Sequence, residues 1–142
     1  MGGARRTFSI DDYAYERGEE LHRLGAQVDQ LVFTDLGDEF TVAANLRFGS
    51  ELQAGLRVFE VIEVRDGRPH RRKYTYQLTY RGEFIVRHDR DAVQHPRMPD
   101  HMHLGSSRRR VRGTRRTLHD AVDELYEVIR QREADEKLAG AS

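Results

Sequence analysis

Residues 73–105 read KYTYQLTYRGEFIVRHDRDAVQHPRMPDHMHLG. Tyr74, Tyr76, Leu78 and Tyr80 alternate with Thr75, Gln77 and Thr79, the period-two pattern of a half-buried strand. Arg81 and Gly82 mark a tight turn, and residues 84–88 return as a second strand. Beyond Asp89 the alternation breaks. Pro96 and Pro99 carry no ladder donor, so residues 90–116 are expected to be irregular. The stretch ends in His101-Met102-His103, and His88, His95, His101 and His103 fall within sixteen residues. A chemical site, if the chain has one, is expected here.

Working outward, the upstream chain repeats the same pattern. Residues 28–34 read as a short strand, closed by Asp35, Gly37 and Asp38. Phe40, Val42, Ala44, Leu46 and Phe48 alternate with Thr41, Ala43, Asn45 and Arg47. After a turn at Gly49 and Ser50, Val58, Glu60, Ile62 and Val64 share one face, with Phe59, Val61 and Glu63 on the other. Asp66 and Gly67 form a hairpin signal. No crossover helix separates these strands, so the sheet is antiparallel. Downstream, Thr117 with Asp120 resembles a capping box, and Leu118, Val122, Leu125 and Ile129 recur at helical spacing beside Ala121 and Val128. Asp123, Glu124, Glu127, Arg130 and Arg132 are expected to face outward. A further helix over roughly residues 12–25 would be capped by Asp11 or Asp12, although Gly18 weakens it. The expected fold is α+β: an antiparallel meander of five to six strands with the C-terminal amphipathic helix packed on one face. Residues 1–10 are expected to be a flexible N-terminus, 11–138 a single domain, and 139–142 a tail.

Charge narrows the function classes. The 142 residues carry 24 basic and 24 acidic side chains, so no global field draws the chain to nucleic acid. Locally, Arg108, Arg109, Arg110, Arg112, Arg115 and Arg116 crowd into nine residues just before a helix N-terminus, where anions are favoured. Such a run is most often a solvated loop. Arginine outnumbers lysine 22 to 2; a GC-rich genome explains this, and guanidinium forks also match phosphate. The absence of cysteine excludes disulfides and thiolate metal sites. No apolar run approaches the ~20 residues of a membrane span, so no membrane partner is expected. The opening MGGARRTFS has no apolar stretch behind its arginines, so a secretory signal is not expected and the cytoplasm is the expected compartment.

On an extended segment His101 and His103 point the same way. Two such imidazoles could bind a transition metal with His95 or Asp89 as third ligand, act as acid and base on a phosphodiester, or simply order the loop by hydrogen bonding. A metal site without thiolates would be labile, so no stoichiometric metal and no cofactor are expected. The tyrosines of residues 74–80 suit packing beneath the helix, with one phenol, that of Tyr76, reaching toward the histidines. Arg87 and Asp89 read as an ion pair, or as a phosphate contact and a carboxylate that orients a histidine.

Glu60, Glu63, Lys73, Tyr74, Tyr76, Gly82, Arg87, Asp89, His95, Pro96, Pro99, His101, His103 and Gly105 together resemble the TumE family of toxins. His88 and Arg90 stand beside Asp89 where that family often has tyrosine and asparagine, and Pro96 stands where a second histidine commonly follows the first. The resemblance implies strands with a tyrosine-bearing hairpin, a histidine-rich loop before a C-terminal helix, and a cytoplasmic toxin paired with a helix-turn-helix antitoxin. An RNA target is the usual presumption for such proteins. The resulting expectation is a metal-independent ribonuclease. His101 and His103 would be acid and base, Asp89 an orienting carboxylate, and His95 and Tyr76 further members of the site. Arg87, Lys73, Arg108, Arg109, Arg110 and Arg112 would contact phosphate. The alternative is a non-catalytic module whose histidine loop binds a partner protein or a metal.

Overall fold

The computed structural model describes residues 9–105 and 110–140. The flexible N-terminus expected over residues 1–10 lies outside the described residues as far as residue 8, as do residues 141 and 142 of the expected tail. Helix α1 (Ile10–Arg23) is followed by strands β1 (Gln27–Asp35), β2 (Glu39–Phe48), β3 (Ala54–Arg65), β4 (Arg68–Tyr80), β5 (Glu83–Asp91), β6 (Asp100–Leu104) and β7 (Arg110–Arg112). Helix α2 (Leu118–Gly140) closes the described chain. The seven strands lie in sequence order, each antiparallel to the next.

Turn chemistry sets the register at the centre. Asp66 and Gly67 both have positive φ (53° and 70°), as do Arg81 and Gly82 (51° and 79°). These are the backbone signs of two-residue hairpins whose twist matches that of the strands. They bring Arg65 opposite Arg68 and Tyr80 opposite Glu83. From these turns the alternation runs outward. Leu46, Leu56, Leu78 and Val86 line up across four strands.

Both helices cover that same face. Leu118, Ala121, Val122, Leu125 and Ile129 of α2 are buried against Tyr74, Tyr76, Leu78 and the apolar residues of β2 and β3. Leu21 of α1 joins this core, while Ile10 and Tyr13 pack on Phe40, Val42 and Ile62. The helices meet where the Tyr126 hydroxyl donates to the Leu24 carbonyl at 2.8 Å. Gly25 (φ 81°) permits that approach, since a Cβ there would stand 2.6 Å from the Tyr126 hydroxyl. Among the described residues no helix lies on the opposite face.

An acid, Glu60, stands inside this core. Glu60 is fully buried; its Oε1 lies 2.5 Å from an Arg17 guanidinium nitrogen and its Oε2 accepts from the Tyr76 hydroxyl at 2.5 Å. Arg71 donates to the same hydroxyl at 2.5 Å and stacks over the Tyr74 ring, 4.2 Å from its centroid. Burial, with the Glu60 charge next, pushes the Tyr76 phenol well above its ordinary value. Burial, the largest influence, acts to neutralise Arg17, but Glu60, Tyr13 and Glu20 together raise the guanidinium above its ordinary value.

Four expectations are corrected. The sheet has seven strands because Pro96 and Pro99 sit in the loop before β6 and leave residues 100–104 free to pair. Ser9, not Asp11 or Asp12, caps α1: its Oγ accepts from Asp12 N at 3.2 Å, and both aspartates occupy the first turn, where they complement the helix dipole. The helix itself begins at Ile10. Glu124 does not simply face outward but, partly exposed, reaches inward to His88 Nε2 at 2.8 Å, because α2 crosses the sheet where His88 rises between Tyr76 and Met102. The Thr117 and Asp120 capping box does form, with reciprocal bonds of 3.1 and 2.9 Å.

Removing Glu60 leaves a largely buried guanidinium with the partly exposed Glu20 carboxylate, 3.1 Å away, as its remaining counter-charge. Glu60→Ala is expected to cost about 3–5 kcal/mol, and Thr117→Ala about 1 kcal/mol. Urea denaturation of the two variants measures both; equal losses would contradict the buried-charge account.

Candidate functional site

Alternation along β4 places Lys73, Thr75 and Gln77 on the open face, since Tyr74, Tyr76 and Leu78 face the helices. Antiparallel pairing carries that choice across the sheet. Thr75 pairs with Asp89 and Gln77 with Arg87; Asp89 then pairs with His101 and Arg87 with His103. Finally His101 pairs with Arg112 and His103 with Arg110. Residues from four strands therefore share one patch of the uncovered face.

At its centre Asp89 Oδ2 lies 3.3 Å from His103 Nε2 and 3.5 Å from His101 Nε2. The Arg87 Nε donates to the same oxygen at 2.9 Å. Asp89 Oδ1 is buried and has no hydrogen-bond partner. The two imidazoles meet edge to face, ring centroids 5.5 Å apart. His101 is 5% exposed although it faces away from the helices, because the loop of residues 92–99 folds over it. His95 of that loop packs edge-on at 5.0 Å, and the Met98 carbonyl oxygen stands 3.4 Å from His101 Nδ1. On the other side Gly113 closes down: a Cβ there would come within 3.3 Å of the His101 carbonyl carbon.

Asp91 pins the loop. Its Oδ1 accepts from the Val93 and Gln94 amides at 3.2 and 3.1 Å, and its Oδ2 lies 3.2 Å from the Lys73 ammonium. Its amide donates to the Pro99 carbonyl and its carbonyl accepts from His95 N. Burial would raise the Asp91 carboxyl, but the Gln94 amide, Lys73 and the Val93 amide together hold it below its ordinary value. Burial and the Arg87 charge hold the His103 imidazole below its ordinary value, against the opposing pull of Asp89.

The cluster opens into a cavity of about 280 Å³ edged by Lys73, Thr75, Arg87, His95 and Arg110. A larger groove of about 410 Å³ lies elsewhere on the open face, beside Asn45, Arg57 and Gln77; no histidine lines it, so size does not decide where the chemistry lies. Among the described residues, Asp89, His101 and His103 are the group of ligand-type side chains that converges, their donor atoms all within 4.8 Å of one another.

The structure brings together His101, His103, Asp89, His95, Arg87, Lys73 and Arg110; Arg112 stands at the rim, exposed beside His101. Tyr76 is not part of this site. Its hydroxyl is committed to Glu60 beneath the helices, because period two puts it on the opposite face from Asp89. Arg108 and Arg109 lie outside the described residues. Sequence reasoning missed Asp91, the Met98 carbonyl and Gly113. A glycine directly after Arg112, and an acid just before the loop, were visible, but what each touches depends on pairing. The buried acid Glu60 had a clearer signal: it sits on the apolar side of the β3 pattern.

A family model described as Toxin TumE matches residues 16–133, which spans every strand and most of both helices. No curated protein and no solved structure matches the chain. No helix among the described residues is long and apolar enough to cross a membrane.

Asp91→Ala removes the acceptor shared by two amides and the Lys73 partner, at about 1.5–3 kcal/mol for each bond to the charged carboxylate. The expected result is faster hydrogen exchange at the Val93 and Gln94 amides while β2 and β3 stay protected. Unchanged protection at those two amides would refute the anchoring role.

Proposed function

The chain belongs to the TumE toxin family, and we propose from that premise that it is the toxin of a toxin–antitoxin pair that cleaves RNA through the Asp89, His101 and His103 cluster. The observation that carries this reading is one carboxylate oxygen lying 3.3 and 3.5 Å from two imidazoles on an uncovered sheet face edged by cations. Lys73, Arg87, Arg110 and Arg112 supply the charge that a phosphodiester backbone requires.

The chemistry needs only proton transfers. His103, the more exposed of the pair, takes the proton of a ribose 2′-hydroxyl as that oxygen attacks the neighbouring phosphorus. The bond from phosphorus to the 5′-oxygen breaks, and His101 gives that oxygen its proton. A 2′,3′-cyclic phosphate and a free 5′-hydroxyl result. Asp89 orients both rings and stabilises positive charge on either, and Arg87 and Arg110 neutralise the charge that grows on the phosphoryl oxygens. His95 closes the cavity over His101. A helix-turn-helix antitoxin is the expected partner, and the cytoplasm, where RNA substrates are found, the expected compartment.

Induced expression is expected to arrest growth, with the purified chain cleaving single-stranded RNA in the presence of chelator. His103→Ala and Asp89→Asn should each relieve the arrest and lower cleavage by about a hundredfold or more, the usual worth of general acid–base groups. His119→Ala, on an exposed stretch of α2, should do neither. Arrest that survives both cluster substitutions would overturn the ribonuclease reading in favour of a non-catalytic module that acts by binding a partner.

A further inference from the structure

The spacing inside the histidine cluster fits poorly with hydrogen bonding alone. Good N–H···O bonds span about 2.7–3.2 Å. The Asp89 Oδ2 contacts to His103 Nε2 and His101 Nε2 are longer, 3.3 and 3.5 Å. Those separations match the edge of a coordination tetrahedron: bonds of about 2.0–2.1 Å to nitrogen and oxygen put neighbouring ligand atoms about 3.3 Å apart. All three donor atoms lie within 4.8 Å of one another, so a single ion between them reaches each one with small side-chain shifts.

A second observation concerns how His101 is held. The Met98 carbonyl oxygen faces Nδ1 at 3.4 Å, and a carboxylate oxygen faces Nε2. A neutral imidazole has one N–H and cannot satisfy two acceptors. With Nδ1–H directed to Met98, the Nε2 lone pair of the neutral ring points at Asp89, and either a second ring proton or a metal cation between them relieves that repulsion. A ligand histidine whose other ring nitrogen faces a backbone carbonyl is a usual outer-sphere arrangement of metal sites, although at 3.4 Å this contact is as long as the two to Asp89. Arg87 supplies the equivalent hold on Asp89, donating to one lone pair of Oδ2 and leaving another. Asp89 Oδ1, buried and unpartnered, offers a second donor to the same ion.

We infer that Asp89, His101 and His103 form a site for one divalent transition-metal ion of the zinc class, with the fourth position open to the cavity. Two imidazoles and one carboxylate suit zinc, cobalt or nickel rather than magnesium or calcium, which prefer all-oxygen shells. The nearby Lys73, Arg87 and Arg110 charges oppose a cation, so the site exchanges its ion readily. This assignment stands whether or not the chain cleaves RNA. A consequence that does rest on the ribonuclease reading is inhibition: a bound ion occupies the lone pairs that the acid and base require.

The test uses the full chain without a polyhistidine tag, stripped with chelator and dialysed. Titration with cobalt(II) chloride is expected to give visible ligand-field bands stronger than those of aqueous cobalt, saturating at one ion per chain. Zinc chloride should then displace the cobalt and bleach them. His103→Ala and Asp89→Asn, each confirmed folded by circular dichroism, should weaken binding at least tenfold, while His119→Ala retains it. Absence of the bands, or equal binding by the two ligand variants, overturns the site. The same samples assayed on RNA separate the two readings. Cobalt binding without cleavage by the metal-free chain removes the ribonuclease and leaves the metal site standing. Cleavage by the metal-free chain with no cobalt binding does the reverse. Cleavage undiminished with the site filled leaves the metal site and removes His101 and His103 as acid and base.

Discussion

Side chains on a strand alternate between the two faces of a sheet, and in this fold both helices occupy one face. Every other placement follows from that constraint. Once Tyr74, Tyr76 and Leu78 turn toward α2, Thr75 and Gln77 must turn away, and their cross-strand partners Asp89 and Arg87 turn with them. The same rule carries His101 and His103 to the open face and His88 to the closed one. A register slip of one residue in β5 would bury Asp89 under the helix, and one in β4 would expose the tyrosines. The two-residue turns at Asp66 and Gly67 and at Arg81 and Gly82 guard against that slip.

The closed face is not purely apolar. Glu60 sits among aliphatic and aromatic side chains, yet its two oxygens meet Arg17 and the Tyr76 hydroxyl, with Arg71 bridging to that hydroxyl. A carboxylate buried in this way is tolerated because both oxygens are satisfied by charged or strong donors. The network also has a geometric role. It joins α1 to β3 and β4 through directional contacts, where the apolar core alone would allow the helix to slide. Charge and hydrogen bonding thus locate α1 over the same face that hydrophobic burial assigns to α2.

The site lies toward the thinner end of the sheet. Strand β6 has five residues and β7 three, and among the described residues only Met102 of β6 packs against the core beneath the helices. Their order comes from the loop of residues 92–99, which Asp91 ties down through two amides and Lys73. That loop folds His95 and the Met98 carbonyl over His101, so a histidine on the uncovered face becomes almost fully buried. Burial in turn gives the imidazoles and Asp89 a setting less screened by water than an ordinary surface patch, whereas Arg112 at the rim remains in solvent.

Much of this was legible in the residues themselves. Alternation in residues 40–48, 56–65 and 73–80, with the glycine turns between them, was enough to predict an antiparallel meander. The helical spacing from Leu118 to Ile129, with Thr117 and Asp120 before it, was enough to predict α2 and its cap. These features are local, depending on neighbours a few residues away and on backbone preferences carried by each residue. The clustering of histidines also pointed to the right part of the chain, and the family resemblance agreed with the model that matches residues 16–133. Other features required the tertiary structure. Proline suggested irregularity through residue 116, but β6 and β7 form because β5 offers a free edge for pairing. Tyr76 looked like a site residue from its nearness in sequence, and the pleat sends it to the other face. Glu124 read as a solvent residue on its helix until the crossing of α2 over the sheet set it against His88. Asp89 became the partner of both histidines only when antiparallel register placed it opposite His101. Sequence patterns determine which way a side chain points relative to its own strand; which residues then meet is decided by pairing across strands and by the loops that fold over them.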